Sequence, residues 1–303
     1  MNLLDFEYLE NNLDTKNLYG SDSCIANIFL LQDKYNIQLK LHKNILFRYY
    51  YGDENRTGYG FPIPVKGATG DYLKTALEFI FEESARKKRV PAFCLITQEE
   101  KNQIDACMAE FFPERKISWK TNRDDCDYIY LRENLAELPG SHYQKKRNHI
   151  SRFNRTYGDS WEFKTFPEND IASDILAVSQ KWFEEKDGDS NNVLQLEHAS
   201  IKSALENADL LRIRGGVLYI NGEAAAMTLA SPISDSILDV IYEKSVAEYE
   251  KNGAYAVINQ QFSKHCGSFL YLNREEDMGV EGLRKAKLSY KPSIILEKFY
   301  GSF

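Results

Sequence analysis

Short apolar runs rich in aromatic and β-branched residues recur along the chain, separated by longer stretches whose apolar positions fall at helical spacing. In the first half, FRYYYG and GYGFPIPV read as strands, residues 71–88 as a helix and FCLIT as a strand; a helix begins near Gln98, and DYIYL closes the series as a strand. The second half opens with a basic helical stretch, followed by strand WEFKTF, helical segments around 170–185 and 195–209, and the run GGVLYINGEAAAMTLAS. Asn221-Gly222 within that run predicts a tight hairpin, because a type I′ turn needs φ > 0 at both central positions. Strand ILDVIYE, helix AYAVINQQFSKH, strand SFLYLN, a charged helix and a last strand IILEKFY complete the chain. Each half thus has paired strands, a helix, a strand, a helix and a strand. We expect two units, 1–139 and 140–303, similar in structure but without residue-level repetition. The mixed order predicts an α/β (α+β) fold with mixed sheets flanked by helices.

Two helical stretches carry charge where an apolar stripe should run. In NREEDMGVEGLRKAKLSYKP, residues 273–292, helical indexing from Val280 puts Leu283 and Tyr290 on its side and places Arg284 and Lys287 among them. Glu275, Glu276 and Asp277 follow strand SFLYLN directly, so acids and inward cations meet at the turn into the helix. Two readings fit: a buried salt-bridge cluster that fixes the turn, or a pocket lined by cations. In SHYQKKRNHISRFNR, residues 141–155, five Lys or Arg occur without an acid. Ser141 is placed to cap this helix, and Tyr143, Ile150, Phe153 and Tyr157 make its apolar stripe. Lys145, Asn148, His149, Arg152 and Arg155 take the opposite face, Lys146 falls inside the stripe, and Arg147 sits on its edge. Such a face is either solvated surface or a contact for a polyanion.

At 303 residues the chain can bury a large core, and its net charge of −7 gives no global attraction to nucleic acid or anionic lipid. The start, MNLLDFEYLENN, is acidic and unlike a signal peptide, and no apolar run approaches the roughly 20 residues needed to span a bilayer. A cytoplasmic location is expected. Cys24, Cys94, Cys107, Cys126 and Cys266 are odd in number and form no CxxC pair, so free, mostly buried thiols are expected.

Covalent and metal chemistry find little support. DGDSNNVLQLEH begins like a calcium loop but lacks the glycine at position six and has His198 where a bidentate Glu belongs. Gly58 and Gly60 make only a GYG, neither a dinucleotide fingerprint nor a P-loop. No GxSxG elbow is present, and His42, His142, His149, His198 and His265 show no ligand spacing, so no metal site is expected.

The hairpin, the following strand, a glycine loop and a helix resemble the central part of an acyl-coenzyme A N-acetyltransferase (GNAT) domain, in which backbone amides at the helix N-terminus hold the donor pyrophosphate. The corresponding loop here, EKNGA, has an acid at the family's Gln/Arg position and alanine at the last glycine, leaving Gly253 and Ala254 as the donor-loop residues. KKRNHISRF together with NREEDMGVEGLRKAKLSYKP resembles something narrower, the family of the phosphatidylglycerol lysyltransferase C-terminal domain, over nearly the whole chain from about residue 10. That family is similar to the Fem aminoacyltransferases. The resemblance implies a tandem GNAT-like fold, no tightly bound cofactor, and aminoacyl transfer from aminoacyl-tRNA to an amine or hydroxyl. Acyl-CoA is the alternative donor, and a non-catalytic RNA- or anion-binding module the alternative role. Lysyltransferases of this type carry a membrane region ahead of the domain, which this sequence does not show, so the acceptor is left open among small molecules, peptides and lipids.

In such a fold Arg284 and Lys287 would face an anionic part of the donor or the developing oxyanion, with Glu243 and Glu275 as candidate bases or salt-bridge partners. Substrate contacts are expected from Asn273, Arg274, Asp277 and Gly279, from Tyr290 unless it is core, and from Lys146 and Arg147. Lys145, His149, Arg152 and Arg155 would contact the phosphates of an acceptor stem.

Overall fold

The computed structural model describes residues 3–52, 56–68 and 70–303. The amino-terminal part holds helices α1 (Leu3–Asn12), α2 (Ile25–Leu30) and α3 (Gln32–Tyr35), then strands β1 (Ile37–His42), β2 (Ile45–Tyr51), β3 (Thr57–Tyr59) and β4 (Ile63–Pro64). Lys43-Asn44 turns β1 into β2 with φ of 49° and 56°, a hairpin of the kind sequence flags only when glycine supplies it. Next come α4 (Tyr72–Arg86), β5 (Ala92–Thr97), α5 (Gln98–Phe111), β6 (Ser118–Thr121), β7 (Asp127–Leu131) and α6 (Arg132–Glu137). Helix α5 starts at a capping box, with Thr97 and Glu100 bonding each other's backbone N–H.

The basic stretch forms α7 (Gln144–Tyr157), followed by β8 (Trp161–Phe166), α8 (Ala172–Glu185), α9 (Asn192–Glu206), β9 (Arg214–Ile220) and β10 (Glu223–Pro232). Asn221 and Gly222, at φ 53° and 82°, join β9 to β10 as their sequence predicts. The chain ends with β11 (Ile237–Ser245), α10 (Ala247–Glu250), α11 (Ala254–His265), β12 (Tyr271–Asn273), α12 (Glu281–Leu288), β13 (Ile294–Leu296) and β14 (Lys298–Ser302). Ser141 does not cap α7: it lies in a single 3₁₀ turn, Ser141–Tyr143, and Tyr143 precedes the helix without capping it, its hydroxyl donating to Tyr290 O instead.

Two seven-stranded mixed sheets result, the fold class expected. The first runs β1-β2-β3-β5-β14-β6, with β4 also paired to β2; the second runs β13-β7-β12-β11-β10-β9-β8. Each sheet therefore takes a strand from the other half of the sequence, β7 entering the second and β14 the first. The run IILEKFY, expected as one strand, is split by this exchange: Ile295 pairs with Tyr128, and Phe299 with Ile96. One apolar core packs the first sheet against α4 and α5, and a larger one packs the second sheet with α2, α8, α9 and α11.

Two irregularities open the middle of the second sheet. Leu229 pairs with Tyr242 and Ala230 with Val240, so Ile241 is bulged out of the ladder. β12 pairs with β11 in parallel only as far as Asp239 and Asn273. Beyond that point Arg274 N–H bonds Tyr128 O at 3.0 Å, so the chain stays with β7 while β11 runs free of it.

Candidate active site

The segment 274–279 leaves the end of β12 in an irregular path with φ of 55° at Glu275, 52° at Met278 and 75° at Gly279. A side chain at Gly279 would add a Cβ only 2.8 Å from Asp124 Oδ2, so the close approach as well as the φ requires glycine. Lys287 and Arg284 hold this path from below. The buried Lys287 ammonium donates to the carbonyls of Arg274 (2.5 Å), Glu275 (3.0 Å) and Glu276. Arg284 forks onto Asp277 at 2.8 and 2.7 Å and reaches Asp124 at 2.6 Å. Those Arg284 bonds keep the Asp277 carboxyl well below the usual carboxylate range, with Tyr128 and the Gly279 N–H adding to the effect. Asn273 ties the same segment to the amino-terminal part, donating to Asp127 at 2.9 Å and to Tyr19 O at 3.1 Å.

Val280 departs from its expected place on the buried stripe. It is 52% exposed, because α12 begins only at Glu281 and Tyr290 lies beyond the helix end rather than on its face.

Where β11 and the 274–276 segment part, their side chains face two different spaces. On the α7 and α11 side, Arg274 donates to Glu243 at 2.7 Å, and Asn259 donates to the same carboxylate at 3.4 Å. The Arg274 guanidinium lies 5.2 Å from the Tyr290 ring centre, and the Lys146 ammonium lies 3.6 Å from it. Burial, helped by the charge of Arg274, pulls the Lys146 ammonium down to about 8. Burial pushes the Tyr290 phenol up to about 12.

The donor-loop candidates stand beside this group. Gly253, at φ 101°, backs onto the His149 carbonyl, where a Cβ would come within 3.1 Å. Arg152 donates to Lys251 O, and Asn252 to the Tyr157 hydroxyl at 2.8 Å. Ala254 begins α11 and is fully buried. Lys145, His149, Arg152 and Arg155 are exposed on the outer face of α7, as their spacing predicts. Partial burial, with Lys146 and Arg152 adding to it, lowers His149 from its ordinary value. Arg147 turns away from the group, donating to the carbonyls of Leu138 and Gly140 at 2.5 and 2.6 Å.

Glu275 and Glu276 face the other space, a cavity of about 270 Å³ between α2, α3, the first sheet and the end of β12. Its polar wall comes from residues the sequence reading did not single out. Asn27 donates to Asp239 at 2.7 Å and to Glu275 at 2.9 Å. Lys298 bridges Asp22 at 2.5 Å and Asp127 at 2.6 Å. Arg56 pairs with Asp125 and lies 3.8 Å from Glu276. Burial, reinforced by Glu276, pushes the Glu275 carboxyl up to about 8, and burial next to Glu275 and Asp127 raises Asp239 as well. Burial alone would lower Lys298, but Asp127 and Asp22 outweigh it and raise it. A signal for part of this cluster does exist in the sequence: Asp127, Asp239 and Lys298 are charges inside otherwise apolar strand runs. The five cysteines are free and buried.

Two mixed sheets flanked by helices, the second with a bulge and parting strands where the ionisable side chains gather, frame the candidate site. Residues 14–300 match the family described as phosphatidylglycerol lysyltransferase, C-terminal, and the chain belongs to that family. Among solved structures, a conserved protein of unknown function from Bacteroides thetaiotaomicron is 30% identical, with TM-score 0.86 over 100% of this chain and 98% of that one. The C-terminal domain of a protein named as a lysylphosphatidylglycerol synthetase of Agrobacterium fabrum gives TM-score 0.65 at 13% identity, covering 100% of this chain and 92% of that one. L-PGS of Bacillus licheniformis gives 0.63 at 14%, covering 99% and 90%. An uncharacterized protein of Mycoplasmoides gallisepticum is 21% identical over 234 residues, 73% of each chain. Among the described residues, no helix is long and apolar enough to cross a membrane.

Proposed function

We propose that this protein transfers an aminoacyl or acyl group, drawn from aminoacyl-tRNA, to an amine or hydroxyl. The observation that carries this reading is the packing of α7 on the loop before α11: Arg152 bonds Lys251 O, and a Cβ at Gly253 would come within 3.1 Å of His149 O. A cationic helix face able to follow phosphates thus lies beside the loop read as the donor site, and its inward Lys146 continues to Arg274 and Glu243. The synthetase domain of Agrobacterium fabrum and L-PGS of Bacillus licheniformis, at 13% and 14% identity, speak for a shared fold, and their names for those proteins' own substrates.

Aminolysis of an ester needs positioning, a proton acceptor and a charge near the developing oxyanion. Arg274 and Lys146 supply cations on the donor side, and Glu243 stands there as a proton acceptor; Glu275, across the parting strands and raised to about 8, accepts a proton once an entering cation has ionised it. Asn273, Asp277, Gly279, Arg284 and Lys287 act by holding the 274–277 path, and Tyr290 gives Lys146 and Arg274 an aromatic floor.

Titrating purified protein with deacylated tRNA, charged tRNA and acetyl-coenzyme A tests the reading. Salt-dependent tRNA binding is expected, with Arg274→Ala and Glu243→Gln losing transfer while retaining that binding. Saturable coenzyme binding without tRNA binding would replace the reading with a coenzyme A-dependent N-acyltransferase. Binding of tRNA without transfer to any acceptor would leave a non-catalytic RNA-binding module.

A further inference from the structure

We propose that the cavity beneath α2 and α3 binds a small primary amine, held as its ammonium by Glu275 and Asn27 with Asp239 behind them. The cations in this region are already engaged: Arg56 with Asp125 and Glu276, Lys298 with Asp22 and Asp127, and Lys34 with Glu197. Glu275 and Asp239 have no ion-pair partner within 4.0 Å among the described residues. Around Asn27 acceptors outnumber donors. Its Nδ2 carries two N–H groups but faces Ser21 O at 3.2 Å, Asp239 Oδ2 at 2.7 Å and Glu275 Oε1 at 2.9 Å. Asn27, only 6% exposed, lines the cavity, and its Oδ1 has no hydrogen-bond partner among the described residues; neither has Asp239 Oδ1.

An ammonium brings three N–H donors and a positive charge to these oxygens, and its charge favours release of the proton that Glu275, raised to about 8, holds near neutral pH in the empty site. A hydroxyl would bring one donor, and a carboxylate would bring none and be repelled. The remaining wall, with Ile28, Leu31, Ile37 and Leu95, suits a short apolar body, and about 270 Å³ is below the range of drug-sized pockets.

The role of this amine as acceptor rests on the transferase reading; its binding does not. In that role Glu275 takes one proton from the ammonium, the freed amine forms the N–C bond, the ester C–O bond breaks, and the departing ribose oxygen takes the second proton.

Calorimetry on the full chain with hexylamine, 1-hexanol and hexanoate tests the proposal with probes of one length and three charges. Hexylamine should saturate a single site about tenfold or more tighter than hexanol, with hexanoate not binding. Glu275→Gln should weaken hexylamine by about tenfold, and Leu31→Trp should block it by filling the cavity. If the variants fail to fold, the three probes on the unaltered chain still decide. No hexylamine binding, or hexanol binding equally well, overturns the proposal. Amine binding without any transfer from aminoacyl-tRNA would retire the transferase reading and leave the amine site standing.

Discussion

Lys287 gives its N–H bonds to three consecutive backbone carbonyls at the end of a strand, a task that needs a buried cation with a long reach. Lys287→Met keeps the stem but takes the ammonium from the Arg274 and Glu276 carbonyls, while Glu275 O keeps the Tyr128 N–H, so a loss of about 3 kcal/mol in denaturant unfolding is expected. Lys285, an exposed partner of Glu281 two residues earlier, is the control: Lys285→Ala should stay within about 0.5 kcal/mol. Equal effects would mean that Lys287 does not hold the segment. Glu275, in the same segment, makes stability depend on pH in the opposite sense to an ordinary ion-paired carboxylate. Its ionisation is moved from 4.5 unfolded to about 8 folded, so within that window the folded state binds the extra proton. Stability contributed by the protonated form is therefore lost as pH rises from about 5 to 8. Glu275→Gln removes the titration, and its melting temperature should vary less over that range than the parent's. Parallel curves would show that Glu275 ionises where exposed glutamates do.

Helix α7 is the element whose burial the sequence describes best, because a surface helix sorts its residues by angle. Phe153 is buried, Ile150 and Tyr157 are half-buried, and Lys146 follows them inward while Lys145 and Arg155 stay outside. Removing the two outer charges, in Lys145→Ala with Arg155→Ala, should weaken tRNA binding and lower its log–log salt slope by roughly 1.5 to 2. An unchanged slope would place the tRNA elsewhere. Helix α12 is less legible, because its helical pattern runs from Val280 through Tyr290 while the helix spans only Glu281–Leu288. Helices α2 and α3 span six and four residues, too short for a periodic signature, and their folding depends on what they pack against. Asn27 could not be paired with Asp239 from sequence because 212 residues separate them. Half of the candidate site was thus visible as one charged motif, and the half that arrives through long-range contacts was not.

At the scale of the molecule, the exchange of β7 and β14 couples the two halves more tightly than a linker would. A piece ending at residue 139 leaves the first sheet without β14, the strand between β5 and β6, while its own β7 loses β12 and β13. A piece beginning at residue 140 carries β14 with no sheet to enter, and Lys298, fully buried in the whole chain, loses both Asp22 and Asp127. In the piece ending at residue 139, Asp22 and Asp127 lose that ammonium, and an unpaired buried carboxylate costs several kcal/mol, comparable with the whole stability of a domain. Neither piece should therefore show a cooperative melt alone, whereas the full chain should unfold in one transition by both calorimetry and circular dichroism. Mixing the pieces should restore that transition, since β7 and β14 then find their sheets again. A single piece that melted cooperatively by itself would mean that its sheet tolerates the missing strand, and the two halves would then be domains in the independent sense.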